Sequence, residues 1–153
     1  MMNIGYYESP LGSIKYTYKN KCIYSLAFHF DEVDKNSENN KEINAALDQY
    51  FAGKLSGFPF DFNYDHLTIF QKKVIDALKK IPYGTTMSYS EVATLIGHPK
   101  SMRAVGQACK NNPIAVMIPC HRVIGKNGNL TGYSGVEHVS LKEKLLLLEK
   151  KYK

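Results

Sequence analysis

Residues 118–124 read Ile-Pro-Cys-His-Arg-Val-Ile, an apolar run that carries a thiol, an imidazole and a guanidinium side by side. A fold that buries this run must also find partners for three polar side chains, which few arrangements allow. The flanking Ile and Val residues predict a short buried strand or turn. Pro119 removes a backbone donor and fixes φ immediately before Cys120, so the thiol is held at a stiff, specified place. A Cys attacks as its thiolate, and a neighbouring imidazole or cation is the ordinary means of lowering its pKa from about 8.5. Cys120 and His121 are therefore candidate nucleophile and base, against the plain alternative of a core Cys beside a surface His.

At 153 residues the chain suits one domain or two small ones, and a 44% hydrophobic content is enough for a core. No apolar stretch approaches the roughly 18 residues of a membrane span, and the first residues lack the pattern of a signal peptide. Three cysteines, Cys22, Cys109 and Cys120, with no CxxC pair imply neither a disulfide framework nor a thiolate zinc site, and the expected compartment is a reducing cytoplasm. The net charge of +6 is unevenly placed. Residues 1–66 hold six lysines against nine acids, a balance of −3, whereas residues 67–153 hold twelve lysines and two arginines against five acids, a balance of +9. The basic half is the half with the thiol run, and a positive domain of this size is the footprint expected for a phosphate backbone.

Along the chain, residues 3–30 read as a strand meander, 31–41 as a polar loop, 42–51 as a helix with Ile43, Ala46, Leu47 and Tyr50 on one face, and 55–62 as a returning strand. Residues 63–66 are the expected linker. Beyond it the pattern is helical. Thr68 with Gln71 forms a capping box ahead of a stripe of Phe70, Val74, Ala77 and Leu78, and the helix must end before Pro82. Ser88 with Glu91 repeats the signature for a short helix closed by Gly97, and a third helix runs from beyond Pro99 to Lys110. That third helix bears Lys100, Arg103, Gln107 and Lys110, so the pair reads as helix-turn-helix, with a plain helical hairpin as the alternative. Residues 125–132 suit a hairpin tip from which Lys126 could reach phosphate. Ser140 with Glu143 predicts a last capping box and a final helix with a Leu141, Leu145 and Leu148 stripe and Glu149 one position past it. Cys22 and His29 are read as core or surface residues, and no metal ligand set or cofactor motif is visible.

Six ordered motifs carry a resemblance: Ile81-Pro82-Tyr83-Gly84, Ser88-Tyr89, Arg103-Ala104-Val105-Gly106, Asn112-Pro113, Pro119-Cys120-His121-Arg122-Val123 and Gly132-Tyr133-Ser134-Gly135. In that order and spacing the chain resembles the O6-alkylguanine-DNA alkyltransferase (methylated-DNA–protein-cysteine methyltransferase) family of suicide DNA-repair proteins, densely from Phe70 to Glu149 and loosely over the first 66 residues. The expected fold class is α+β: a small N-terminal α+β domain over residues 1–66, an antiparallel sheet with a helix, then a mainly helical, winged helix-turn-helix-like domain over 67–153.

The resemblance implies irreversible transfer of an alkyl group from O6-alkylguanine in double-stranded DNA to Cys120, after rotation of the nucleotide out of the stack, with O4-alkylthymine left open as a substrate. It implies that His121 acts as base through a water, that Glu149 orients the imidazole, and that Tyr89 donates to the guanine ring and assists rotation. Arg103 would fill the vacated place in the stack, Asn112 would tie the recognition helix to the active-site turn, and Val123, Tyr133 and Ser134 would line the base pocket. Lys100, Gln107, Lys110 and Lys126 would contact DNA, the recognition helix lying in the minor groove. No cofactor, metal, membrane or obligate protein partner is implied, and a monomer is expected. Two departures touch the last segment. Val136 stands where the pattern has a second Gly, and the next interval is two residues longer, so either Lys142 is the family Lys displaced by an insertion or Ser140 takes its place. A non-catalytic alkylated-DNA-binding protein of the same fold is the alternative reading.

Overall fold

Alternation along the first thirty residues produces three antiparallel strands, β1 (Asn3–Ser9), β2 (Gly12–Lys19) and β3 (Cys22–Phe28), in the order of the chain. The computed structural model describes residues 2–55, 57–128 and 139–153, apart from the side chains of Asn127, Val139 and Ser140. On β2 the period of two is plain: Ile14, Tyr16 and Tyr18 are buried and Lys15 is exposed between them. Asn20 turns the chain into β3 at φ 56°, the left-handed region that Asn tolerates better than most residues. Helix α1 (Lys41–Phe51), capped by the Asn40 side chain on the Ile43 amide, lays Ile43, Leu47, Tyr50 and Phe51 into the core.

Tyrosine hydroxyls stitch the polar loop before α1 to this sheet. Tyr16 donates to Asn44 Oδ1 at 2.7 Å and accepts from the Asn40 amide at 2.9 Å. Tyr18 donates to the Glu38 carbonyl at 2.7 Å, and Tyr6 accepts from the Asp34 amide at 2.9 Å. The loop is mostly exposed, as its polarity predicts, yet its backbone donors and acceptors are drawn onto buried rings.

The returning strand expected over residues 55–62 shrinks to β4 (Asp61–Phe62), which runs parallel to β3. Gly57 and Pro59 precede it, and a Pro cannot donate to a ladder, so pairing starts only beyond them. A helix between β3 and β4 supplies the long crossover that parallel pairing needs.

The chain divides into two compact units: Met1–Tyr64 with Pro113–Met117, and Asp65–Asn112 with Ile118–Lys153. Within the first, Pro113–Met117 runs beside β3, the Leu26 amide donating to the Pro113 carbonyl at 2.9 Å and the Ala115 amide to the Leu26 carbonyl at 2.8 Å. Val116 there is held at φ 71°, an uncommon conformation for a β-branched residue.

The second unit begins with α2 (Ile69–Leu78), whose Thr68–Gln71 capping box is formed and whose buried face is Val74, Ile75, Ala77 and Leu78. Phe70 is only half-buried and stands edge-on to His98. A two-residue strand β5 (Met87–Ser88) leads into α3 (Tyr89–Leu95), again with its capping box. Gly97, at φ 82°, turns the chain toward α4 (Met102–Lys110), and α2, α3 and α4 pack together. After the return from the first unit come a 3₁₀ turn (Cys120–Arg122), β6 (Val123–Ile124) paired in parallel with β5, a second 3₁₀ turn (Lys126–Gly128) and α5 (Val139–Tyr152). The rest of the expected hairpin tip, residues 129–132, lies outside the described residues. Helix α5 already begins at Val139, so Ser140 falls inside its first turn rather than at the N-cap where the capping box required it.

Gly5 tests the packing of the first unit. A Cβ at this position would collide with the ring of Tyr16, which is fully buried and pinned at its hydroxyl by Asn44 and Asn40. Because the ring cannot give way, Gly5→Ala should lower unfolding stability by about 1–3 kcal/mol, read as a lower urea midpoint with unchanged m-value.

Candidate active site

Ten consecutive residues, Ile114–Val123, are buried, so the polar side chains among them must find their partners inside the protein. The β5–β6 pairing places the active-site turn: Met87 opposes Val123 and Ser88 opposes Ile124. Tyr89 follows β5 and the Cys120–Arg122 turn precedes β6, so the two stand at opposite ends of a parallel ladder only two rungs long, near enough for the charge of Cys120 to act on Tyr89. Asn112 ends the helical segment on the other side, and its Nδ2 donates to the Ile118 carbonyl at 2.9 Å. This clasp joins the residue where the chain leaves the second unit to the residue where it returns.

Helix α5 closes the site with charge. Leu141, Lys142, Leu145 and Glu149 form its buried stripe, and Lys142, Leu145 and Glu149 follow the helical i, i+3, i+7 spacing. Leu148, expected on the stripe, is half-buried, and Glu149 lies on it rather than past it. Glu149 Oε2 is 2.6 Å from His121 Nε2. The same carboxylate accepts from Arg122 Nε at 2.8 Å, Arg122 Nη2 at 3.0 Å and the Gly84 amide at 3.1 Å. Arg122 is itself held, Nη1 donating to the Ile81 carbonyl at 2.7 Å with the guanidinium over the Tyr83 ring. Lys142, fully buried, donates from Nζ to Tyr89 Oη at 3.1 Å and sits over the Tyr89 ring.

Residue context alone suggested a thiol activated at rest, and the geometry corrects that. Burial pushes Cys120 up to about 11; a hydrogen bond from Asn112 and the charge of Lys142 pull the other way and do not overcome it. Burial also lowers His121 below the ordinary imidazole value, the Glu149 hydrogen bond and charge opposing while Arg122 and Lys142 reinforce. Burial raises the Glu149 carboxyl, but His121 and then Arg122 outweigh it and hold it well below the usual carboxylate range. The resting site is therefore a neutral thiol and a neutral imidazole beside an ionised Glu149. Since a carboxylate only accepts, the imidazole proton sits on Nε2 and Nδ1 is the basic nitrogen. Burial lowers Lys142 as well.

Of the residues singled out from sequence, Cys120, His121, Glu149, Tyr89, Asn112 and Val123 are buried in the second unit. Arg103, Gln107 and Lys110 share the exposed face of α4, with Lys100 exposed just ahead of it, and Lys126 is exposed beyond β6. Tyr133, Ser134 and Val136 lie outside the described residues. Sequence reasoning overlooked the ties of Arg122 to Glu149 and Ile81 and of Lys142 to Tyr89. Arg122 did carry a signal, because a guanidinium inside an apolar run demands a carboxylate. Among the described residues no group of three or more metal-ligating side chains is assembled.

The titration of this site sets an acid limit on the fold. With His121 neutral when folded and ordinary when unfolded, the unfolded chain binds more protons below about pH 6.5, so stability falls as pH drops through that value. Glu149, ionised in the fold far below its unfolded pKa of about 4.5, extends the loss at lower pH. Thermal unfolding should show Tm declining from about pH 7 to pH 4, with the upper part of the decline flattened in His121→Gln.

Comparison with known proteins agrees over the whole chain. Residues 69–151 match the model of the 6-O-methylguanine DNA methyltransferase DNA binding domain, and residues 2–64 that of the same family's ribonuclease-like domain. The constitutive methylated-DNA–protein-cysteine methyltransferase of Bacillus subtilis is 44% identical over 159 aligned positions, spanning 90% of this chain and 96% of the relative. The methylated-DNA–protein-cysteine methyltransferase of Methanosarcina acetivorans is 51% identical over 120, spanning 78% and 74%. The crystal structure of Mycobacterium tuberculosis O6-methylguanine methyltransferase superposes with a TM-score of 0.89 at 36% identity, covering 100% of this chain and 95% of that one. A structure of the M. tuberculosis protein in complex with DNA gives 0.86 at 36% identity, covering 98% and 94%. With both family domains matched in order and the thiol turn, the carboxylate-bound imidazole and the basic helix in one unit, this chain belongs to the 6-O-methylguanine DNA methyltransferase family.

Proposed function

We propose that this protein repairs DNA by direct reversal, moving the alkyl group of O6-alkylguanine in duplex DNA irreversibly onto Cys120. The observation that carries the reading is the 2.6 Å contact of His121 with Glu149, one residue from a buried thiol, in a unit whose basic helix face is open to solvent. Sγ attacks the alkyl carbon, the S–C bond forms as the C–O6 bond breaks, and the bonding pair goes to O6. The thiol proton leaves through a water to His121 Nδ1, and the guanine takes up a proton, so the products are guanine and an S-alkylcysteine. Glu149 offsets the charge of the imidazolium formed on the way; assistance of this kind is worth about 10² to 10⁴ in rate.

A thiol near 11 leaves about one molecule in 10⁴ as thiolate at pH 7. For a protein consumed by a single reaction that is a protection, since little thiolate is present to react with stray electrophiles or oxidants. The nucleophile is then generated when base and substrate are aligned. Arg103 is assigned to the stack in place of the rotated nucleotide, with Lys100, Gln107, Lys110 and Lys126 on the DNA backbone; their exposure supports this. Tyr89, supported at its oxygen by Lys142, is assigned to the guanine ring, and Lys142 takes the family Lys position. Asn112 holds the turn and Val123 is assigned to the base pocket, while Tyr133 and Ser134, which the family resemblance assigns there too, lie outside the described residues. A purely binding relative has no use for a thiol with this relay. No described helix is long and apolar enough to cross a membrane, and we place the protein in the cytoplasm as a monomer without cofactor.

Incubation with duplex containing O6-methylguanine should add one methyl group per protein molecule, mapped to Cys120, with no turnover. Label on Cys22 or Cys109, repeated turnover, or DNA binding with no transfer would overturn the reading. Arg103→Ala should slow repair of duplex at least about tenfold more than reaction with free O6-benzylguanine, which needs no rotation; equal losses would remove Arg103 from the stack.

A further inference from the structure

Resting on the reading of His121 as the base, we infer that Arg122 is a positioning residue for the reaction: by occupying both oxygens of Glu149 it keeps His121 neutral, and therefore able to accept the thiol proton. The argument starts from charge. A carboxylate 2.6 Å from an imidazole in a fully buried site would, left to itself, favour the protonated ring, because imidazolium and carboxylate together form a neutral pair. A ring already protonated cannot act as a base. Arg122 removes that drive. Its Nε and Nη2 reach Oε1 and Oε2 at 2.8 and 3.0 Å, so the carboxylate is neutralised by a group that never gives up its proton. A proton arriving on His121 then places a net positive charge in a buried site, and it arrives only when the thiol supplies a compensating negative one.

The fork is held from behind, with Nη1 on the Ile81 carbonyl at 2.7 Å and the guanidinium over Tyr83, so Arg122 cannot swing away without losing a buried bond. Among the described residues, the other charged or titratable groups that act on His121 include Glu149 and Lys142 from α5, with Cys120 next to it on its own turn. Around these lie Tyr89 from α3, Cys109 from α4, and Tyr83 with Tyr152 around the Arg122–Glu149 pair. Lys142 acts on His121 in the same direction as Arg122, while its Nζ donates to Tyr89 Oη.

The test is the titration of the His121 ring nitrogens by ¹⁵N NMR in the free protein, paired with the pH profile of methyl transfer. In wild type the ring should stay neutral, with its proton on Nε2, down to below about pH 6.5. In Arg122→Met the midpoint should rise by about one unit or more, and transfer should fall several-fold near neutrality and recover toward about pH 9. Arg122→Lys keeps the charge, so its midpoint and profile should lie close to wild type even if the rate is lower at every pH. An unchanged midpoint in Arg122→Met, a pH-independent loss of rate, or Arg122→Lys behaving as Arg122→Met would overturn the proposal. If Arg122→Met does not fold, a wild-type ring found charged at neutral pH, or an Arg122→Lys midpoint raised like that of an uncompensated pair, overturns it equally. The titration needs no DNA, so failure of this proposal is distinguishable from failure of the transfer reaction itself.

Discussion

The Glu149 carboxylate is the interaction on which the second unit depends. Among the described residues four donors converge on it, from His121, twice from Arg122 and from the Gly84 amide. A buried ion pair rarely adds stability over well-packed apolar groups, whereas deleting one partner costs about 3–5 kcal/mol because a charge is stranded. The arrangement is thus weak as glue and strong as a specification. It fixes the rotation of α5, the orientation of the imidazole and the position of the turn carrying the thiol, and any other register would leave an unpaired charge in the core. Gly84 belongs to the same constraint: at φ 75° it presents its amide to the carboxylate, a conformation that side-chain-bearing residues seldom adopt.

Around this centre the protein separates chemistry from access. Cys120, His121 and the charged groups around them are buried, while Arg103, Lys110, Lys100 and Lys126 are exposed on or near α4 and beyond β6. Burial disfavours the charged forms of thiol, imidazole and lysine alike, so thiol and imidazole rest neutral beside the fixed Arg122–Glu149 pair. The donors to Glu149 are thus in place before any charge develops on the thiol or the imidazole.

The route of the chain contributes as well. Between Asn112 and Ile118 it leaves the second unit to run beside β3 and returns, and the Asn112 side chain closes that excursion with one buried hydrogen bond. Val116, in its left-handed conformation, turns the chain within it. Backbone strain of this kind, about 1–3 kcal/mol, persists only where the surroundings over-determine the conformation, as they do in a run of ten buried residues.

Local physics made much of this legible in the amino-acid order. Strand alternation, the two capping boxes at Thr68 and Ser88, the glycine stop at Gly97 and the basic face of α4 depend on neighbours a few residues apart, and they appear where the order of residues placed them. The thiol turn and its family were legible for the same reason, as contiguous motifs. The sequence did not reveal which charges would be buried. By periodicity Lys142 and Glu149 look like solvated helix charges among lysines, and only the family resemblance pointed Glu149 at His121; docking of α5 puts Lys142 and Glu149 two turns apart on its inner face. Nor could it reveal that the thiol rests protonated, since that depends on how much water the packed helices exclude. Periodicity and propensity are carried by the chain itself; desolvation and long-range pairing, such as Arg122 with Glu149 across 27 positions, exist only once the tertiary structure has closed.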